Sequence, residues 1–171
     1  WCDHIARMWP VDAVVGENGA FWMRHDALAR RLKTVFVGDP LPDRQQRIEA
    51  LAARILAAVP GCALASDQFC RVADLAIDYC EDVPPLPQSA VSAIVRHMEA
   101  AGMRAKVSSI HVNGWFGEYD KLSTARRMLA EEFGVALDRE SERERWVFAG
   151  DSPNDAPMFG YFPNSVGVAN V

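Results

Sequence analysis

Two carboxylates stand four positions apart in Phe148-Ala149-Gly150-Asp151-Ser152-Pro153-Asn154-Asp155, directly after an apolar run and a glycine. Such a run reads as a buried strand passing into a loop, and in open α/β sheets ligands bind beyond the carboxyl ends of strands. Asp151 and Asp155, with no basic residue between them, suit a hard, oxygen-seeking cation such as Mg2+. The plainer alternative is a strand-to-helix turn in which both side chains only cap backbone amides. Upstream, Asp120-Lys121 opens a strongly amphipathic segment. A lysine at a helix start opposes the helix dipole, so something other than helix stability holds it there. The plainer alternative for Lys121 is an exposed residue on a helix surface.

The elements that must position these residues follow from apolar spacing and turn chemistry. Strands are expected at 11–15, 21–23 and 33–37, with a tight turn at Asn18-Gly19. A helix over 44–58 places Ile48, Leu51, Ile55, Leu56 and Val59 on one face. Strands at 62–65 and 71–79 precede the Pro84-Pro85-Leu86-Pro87 stretch. A helix over 91–101 follows, with Ser89 as its cap and Gly102 as its stop. A strand at 107–112, a helix over 120–133 closed by Gly134, and strands at 146–149 and 165–168 complete the chain. Strand and helix patterns alternate, so the class is α/β with at least part of the sheet parallel.

Composition excludes several functions. Of 171 residues, 50% are hydrophobic and 24% charged, enough apolar surface for a packed core. The net charge of −5 comes with no basic stripe, so no nucleic-acid partner is expected. The longest apolar stretch, 48–59, carries Glu49 and Arg54 and is too short to cross a bilayer, so no membrane association is expected. Cys2, Cys62, Cys70 and Cys80 show no C-x-x-C spacing, and His4, His25 and His97 lack partners at metal-ligand spacing. The cysteines read as reduced thiols of a cytoplasmic protein. No basic region followed by an apolar one opens the chain, so no secretory leader is expected. Trp22, Trp115 and Trp146 read as packing residues.

The acidic loop, with Pro157-Met158-Phe159 and Ser165-Val166-Gly167-Val168-Ala169-Asn170 after it, resembles the fourth motif of the haloacid-dehalogenase (HAD) phosphatases and its following strand. The likeness is to subfamily IIB, which includes sucrose-phosphate, trehalose-phosphate and mannosyl-phosphoglycerate phosphatases. It implies that Asp151 ligates Mg2+, that Asp155 holds metal-bound water, and that Asn154 is the polar residue between them. Asp120-Lys121 resembles the third motif, in which the lysine neutralises charge between a nucleophilic aspartate and the phosphate. Phosphoryl transfer asks for a compact cation there, because it is catalysed mostly by positioning and charge stabilisation. The segment 11–20, ending in Glu17-Asn18-Gly19-Ala20, resembles the strand and hinge before the subfamily's cap. The implied fold is a partial Rossmann-like HAD core, residues 1–20 and 113–171, with an α/β cap domain inserted at 21–112. Ser152, Asn154, Asn113 and His111 are then expected near the substrate or behind the metal ligands.

The family's Asp-x-Asp nucleophile and its second motif are not found: Asp3 and Asp12 are isolated, and Asp74 and Asp78 lack a glycine-rich loop. With Trp rather than Met at position 1, the chain reads as the C-terminal part of a Mg2+-dependent phosphatase of a sugar phosphate or similar small metabolite. In the complete enzyme one upstream aspartate would attack phosphorus and a second would protonate the leaving group. The rival reading is a non-catalytic, degenerate α/β binding module. Alone, the chain is expected to be inactive, to bind Mg2+ weakly, and either to form a homodimer through an unpaired core edge or to be poorly soluble. Strands 11–15, 146–149 and 165–168 are expected in one parallel sheet, with 21–112 as a separate lobe. Lys121 and Asp151 are expected on the same sheet edge.

Overall fold

The computed structural model describes residues 1–38 and 41–168; the Ala169-Asn170 end of the last motif lies outside them. In chain order the elements are α1 (Cys2–Met8), β1 (Val14–Gly16), β2 (Phe21–Asp26), β3 (Arg31–Phe36), α2 (Arg44–Ala58), β4 (Ala63–Leu64), β5 (Asp74–Asp78) and α3 (Gln88–Ala100). There follow β6 (Arg104–Val107), β7 (His111–Trp115), α4 (Lys121–Phe133), α5 (Glu140–Arg143), β8 (Val147–Gly150), α6 (Ala156–Tyr161) and β9 (Asn164–Gly167). The class is α/β, as the alternation of patterns requires. The described residues form two compact units: 1–38 with 119–150 and 156–168, and 41–118 with 151–155. This grouping places residues 21–38 with the first unit and 113–118 and 151–155 with the second.

β1, β2 and β3 form one antiparallel meander, with Val15 opposite Trp22 and Trp22 opposite Val35. Strand 11–15 therefore does not join the parallel sheet expected of it. Only the short Glu17–Gly19 turn separates β1 from β2, and a connection that short returns the chain antiparallel; a parallel neighbour needs a crossover. The parallel pairing that does form joins β8 to β9, with Ala149 opposite Val166. Behind these strands Trp22, Met128, Leu129, Leu137 and Phe162 make the core of the unit. Phe148 stacks edge-on against Phe159 at 5.0 Å.

One buried carboxylate ties α4 to the meander. Glu132, 5% exposed at its side chain, accepts hydrogen bonds from Trp22 Nε1 at 3.0 Å, Lys33 Nζ at 2.6 Å and Arg24 Nη1 at 3.3 Å. Lys33 is the largest cause holding its pKa below the ordinary value, with Trp22 and Arg24 adding to the effect against the cost of burial.

The second unit is an antiparallel sheet in the order β4-β5-β7-β6, with α2 and α3 packed on one face. Leu75, Ile77 and Val112 meet Ile48, Leu51, Ile55, Val91, Ile94 and Met98 there. Helix α2 keeps its predicted limits, and its apolar stripe explains why. The single strand expected at 107–112 is instead a hairpin, β6 and β7, because Ser108–Ile110 turns. The Ser108 amide donates to His111 O at 2.8 Å, and Tyr79 Oη donates to Ser108 O at 2.7 Å. Helix α3 starts at Gln88 with Pro87, not Ser89, at its cap position.

Candidate functional site

Lys121 is the first residue of α4, as the Asp-Lys spacing predicts. Asp120 caps the helix: its Oδ1 accepts from the Ser123 amide at 2.7 Å, while the Ser123 hydroxyl accepts from the Asp120 amide at 3.0 Å. This reciprocal pair fixes the first turn and the starting direction of the lysine side chain. The C-terminal end is fixed equally well, by Gly134 in the left-handed region at φ 67°.

The Glu17-Asn18-Gly19 turn is lodged against that same first turn. Thr124 Oγ1, on a residue 1% exposed, donates to Gly19 O at 2.7 Å. Gly19 has φ +103°, and a β-carbon there would lie 2.4 Å from Asp120 O. Only glycine fits, on both conformation and space. Glu17 and Asn18 also have positive φ, 44° and 56°. Two pieces of sequence about a hundred residues apart, each with its own motif likeness, are thereby packed together.

The acidic loop follows β8 directly. Asp151 is exposed, Asn154 half-buried, and Ser152 and Asp155 buried. The Asp155 amide donates to Ser152 O at 2.9 Å, closing a short turn over Pro153–Asp155. Ser152 Oγ is buried with no protein partner, a state that costs free energy unless a ligand or water meets it. Carboxylate and hydroxyl oxygens are the kind of donor that Mg2+ takes. Lys121 belongs to the first unit and residues 151–155 to the second.

His111 and Asn113, expected where the chain returns to the core, lie on β7, 8% and 7% exposed. The register sets His111 opposite Asp78, Asn113 opposite Ala76 and Lys106, and Trp115 opposite Asp74 and Arg104. Strand alternation puts all of these on the sheet face away from α2 and α3. Asp74 and Asp78 are fully buried. Arg71 pairs with Asp74 at 3.1 Å and with Asp67 at 2.9 Å. Burial alone would raise the Asp78 pKa, but the Glu81, Asp82 and Cys80 amides and nearby His111 outweigh it and leave it lowered.

The sequence reading set Asp74 and Asp78 aside for want of a glycine-rich loop. The signal it passed over was their even spacing in Asp-Leu-Ala-Ile-Asp, which turns both carboxyls to the polar face of one strand. A cleft of about 860 Å3 along the β2–β3 hairpin holds Arg24 and Lys33, both paired with Glu132. Among the described residues, no helix is long and apolar enough to cross a membrane.

No protein-family model and no curated protein matches the sequence. Solved structures do match the fold. A trehalose-6-phosphate phosphatase related protein aligns over 96% of this chain and 64% of its own, at 14% identity and TM-score 0.58. The C-terminal domain of trehalose-6-phosphate phosphatase from C. albicans aligns over 93% and 55%, at 12% identity and TM-score 0.64. The sucrose-phosphatase from Synechocystis, solved with sucrose and phosphate, aligns over 94% and 60%, at 15% identity and TM-score 0.58. At these identities the likeness shows the fold alone, an α/β fold shared with these solved structures. The chain spans between 55% and 64% of the length of these three structures.

Proposed function

We propose that this chain supplies the lysine and the acidic loop of a Mg2+-dependent HAD phosphatase of subfamily IIB, cytoplasmic and acting on a sugar phosphate or a similar small metabolite. The observation that carries the reading is the loop after β8, which sets Asp151, Asp155 and the buried, unmet Ser152 hydroxyl within five residues. Asp151 and Asp155 would hold the cation, with Asn154 and Ser152 fixing the loop or its bound water. Bound Mg2+ supplies charge stabilisation for the transferring phosphoryl group. Lys121, fixed by the Asp120 cap and the Gly19 turn, balances the remaining negative charge on the phosphoryl oxygens. Residues 41–118 would serve as the cap, with Asn113 and His111 as its candidate substrate contacts.

The absence of Asp-x-Asp from residues 1–171 favours a second reading, a binding module that kept the fold without the chemistry. Phosphate release from trehalose 6-phosphate, sucrose phosphate and other sugar phosphates decides between them. It would be measured with Mg2+ for the 171-residue chain and for a polypeptide extended upstream in its reading frame. The extended protein is expected to turn over at least one substrate, with loss of about 100-fold or more in Lys121→Ala and Asp155→Asn. The short chain is expected to be inactive and to self-associate along an open core edge. No turnover by the extended protein leaves the binding module; turnover by the short chain, abolished by Asp151→Ala, would mean the nucleophile lies within these residues.

A further inference from the structure

We infer that the second unit carries its own divalent-cation site, formed by Asp78, Glu81 and His111 and suited to a transition ion such as Zn2+ rather than to Mg2+. It uses none of Lys121, Asp151 or Asp155 and shares only His111 with the residues proposed near the substrate, so it is testable apart from the phosphatase reading.

The site is built by the ends of two paired strands and the turn between β5 and α3. Asp78 closes β5 directly opposite His111, which opens β7. Beyond Asp78 the chain folds back over its own carboxylate. Asp78 Oδ1 accepts from the Cys80 and Glu81 amides at 2.9 and 2.8 Å, and Oδ2 accepts from the Asp82 amide at 2.8 Å. An ionised carboxylate offers about four lone-pair positions, so one on Oδ2 is left over. The fold-back brings Glu81 Oε2 to 2.8 Å from His111 Nε2. One ligand atom from each residue lies within 4.8 Å of the other two. Ligand atoms around an ion bound at about 2.0–2.1 Å stand about 3 Å apart, close to the Glu81–His111 separation.

The second observation concerns His111 itself. Its ring is about nine-tenths buried, yet Nε2 makes no hydrogen bond: the ring N–H does not point at the neighbouring Glu81 oxygen. A buried nitrogen held beside a carboxylate oxygen without an aligned proton between them is the arrangement in which both lone pairs can face a shared cation. The frame is stiff, because Tyr79 Oη and Cys80 Sγ bond to Ser108 O and Ser109 O and pin the two turns together. Glu81 is exposed, which gives an ion a way in.

The donor set fixes the class of ion. Mg2+ takes oxygen, whereas an imidazole with two carboxylates suits Zn2+, Mn2+ or Co2+, with water completing the shell. Binding would lock the 79–82 turn to the strand ends of the sheet.

The chelator-stripped 171-residue chain would be titrated with Co2+ by visible spectroscopy and with Zn2+ by calorimetry. One equivalent is expected, with Zn2+ displacing Co2+ and Mg2+ failing to do so. Glu81→Gln, an exposed change that leaves the fold intact by circular dichroism, should weaken binding by about tenfold or more, and His111→Ala likewise. Asp151→Asn should leave it unchanged, which separates this site from the acidic loop. Co2+ affinity unaltered by Glu81→Gln, binding lost in Asp151→Asn, or no binding at all would each overturn the assignment.

Discussion

Replacing Glu132 with alanine removes the acceptor shared by Trp22, Lys33 and Arg24 and tests how α4 is held to the meander. The three donors are not equal. Trp22 is fully buried, so its indole N–H would be left without a partner, at about 1–3 kcal/mol. Lys33 and Arg24 are 56% and 39% exposed and can turn to water, so each ion pair is worth less than about 1 kcal/mol. Arg24 also keeps its 3.0 Å bond to the Glu132 carbonyl. The sum is about 2–3 kcal/mol, a urea midpoint lowered by about 1 M at a slope of about 2 kcal/mol/M. Tryptophan fluorescence reads the transition. The sign with pH follows from the lowered pKa of the folded state. The carboxylate contributes fully above its ordinary value of 4.5, and the contribution is lost as pH falls through the lower folded value. Wild-type protein should lose this increment on acidification below about pH 4.5, and Glu132→Gln should not. A Glu132→Ala protein within about 0.5 kcal/mol of wild type, or an unchanged acid limb in Glu132→Gln, would refute the reasoning.

Gly19→Ala should cost about 3 kcal/mol or more, since it adds left-handed strain to a clash with Asp120 O. Gly134→Ala, with positive φ but nothing within 4 Å, should cost only about 1 kcal/mol; equal urea midpoints for the two would dismiss the contact. Asp120→Ala should lose about 1 kcal/mol with the helix cap, and Asp120→Asn should restore most of it in the same assay.

Helix α4 was legible down to its ends, because Asp120, the apolar stripe and Gly134 all act locally. Strand β8 and helix α2 were legible for the same reason. The β6–β7 turn was not: Ser108-Ser109-Ile110 carries no Gly, Pro or Asn, and its hydrogen bonds come partly from Tyr79, far away in sequence. Nor was the partner of β1, for periodicity reports which residues are apolar and not which strand lies alongside. The order of the Gly19 and Lys121 motifs could be read, but their direct packing rests on the Thr124 bond, which spacing does not encode. The Asp78–Glu81–His111 group escaped because two of its members come from one turn and the third from the strand opposite, a separation no ligand-spacing pattern covers.

The β8–β9 pair has a consequence for how the acidic loop behaves in time. Two strands alone make a marginal sheet, and Val147 and Val166 are exposed at 71% and 55%. What steadies the pair is the aromatic contact of Phe148 with Phe159 and Phe162, together with the Val168 amide bonded to Gly150 O. Its amides should therefore exchange with solvent deuterium well before those of α4, through local opening that leaves the rest of the unit folded. Asp151 leaves β8 and Asp155 leads into α6, so a ligand joining the two carboxylates would also bridge the flanks of that opening. Its binding energy and the slowing of exchange in β8 would then be one quantity measured in two ways.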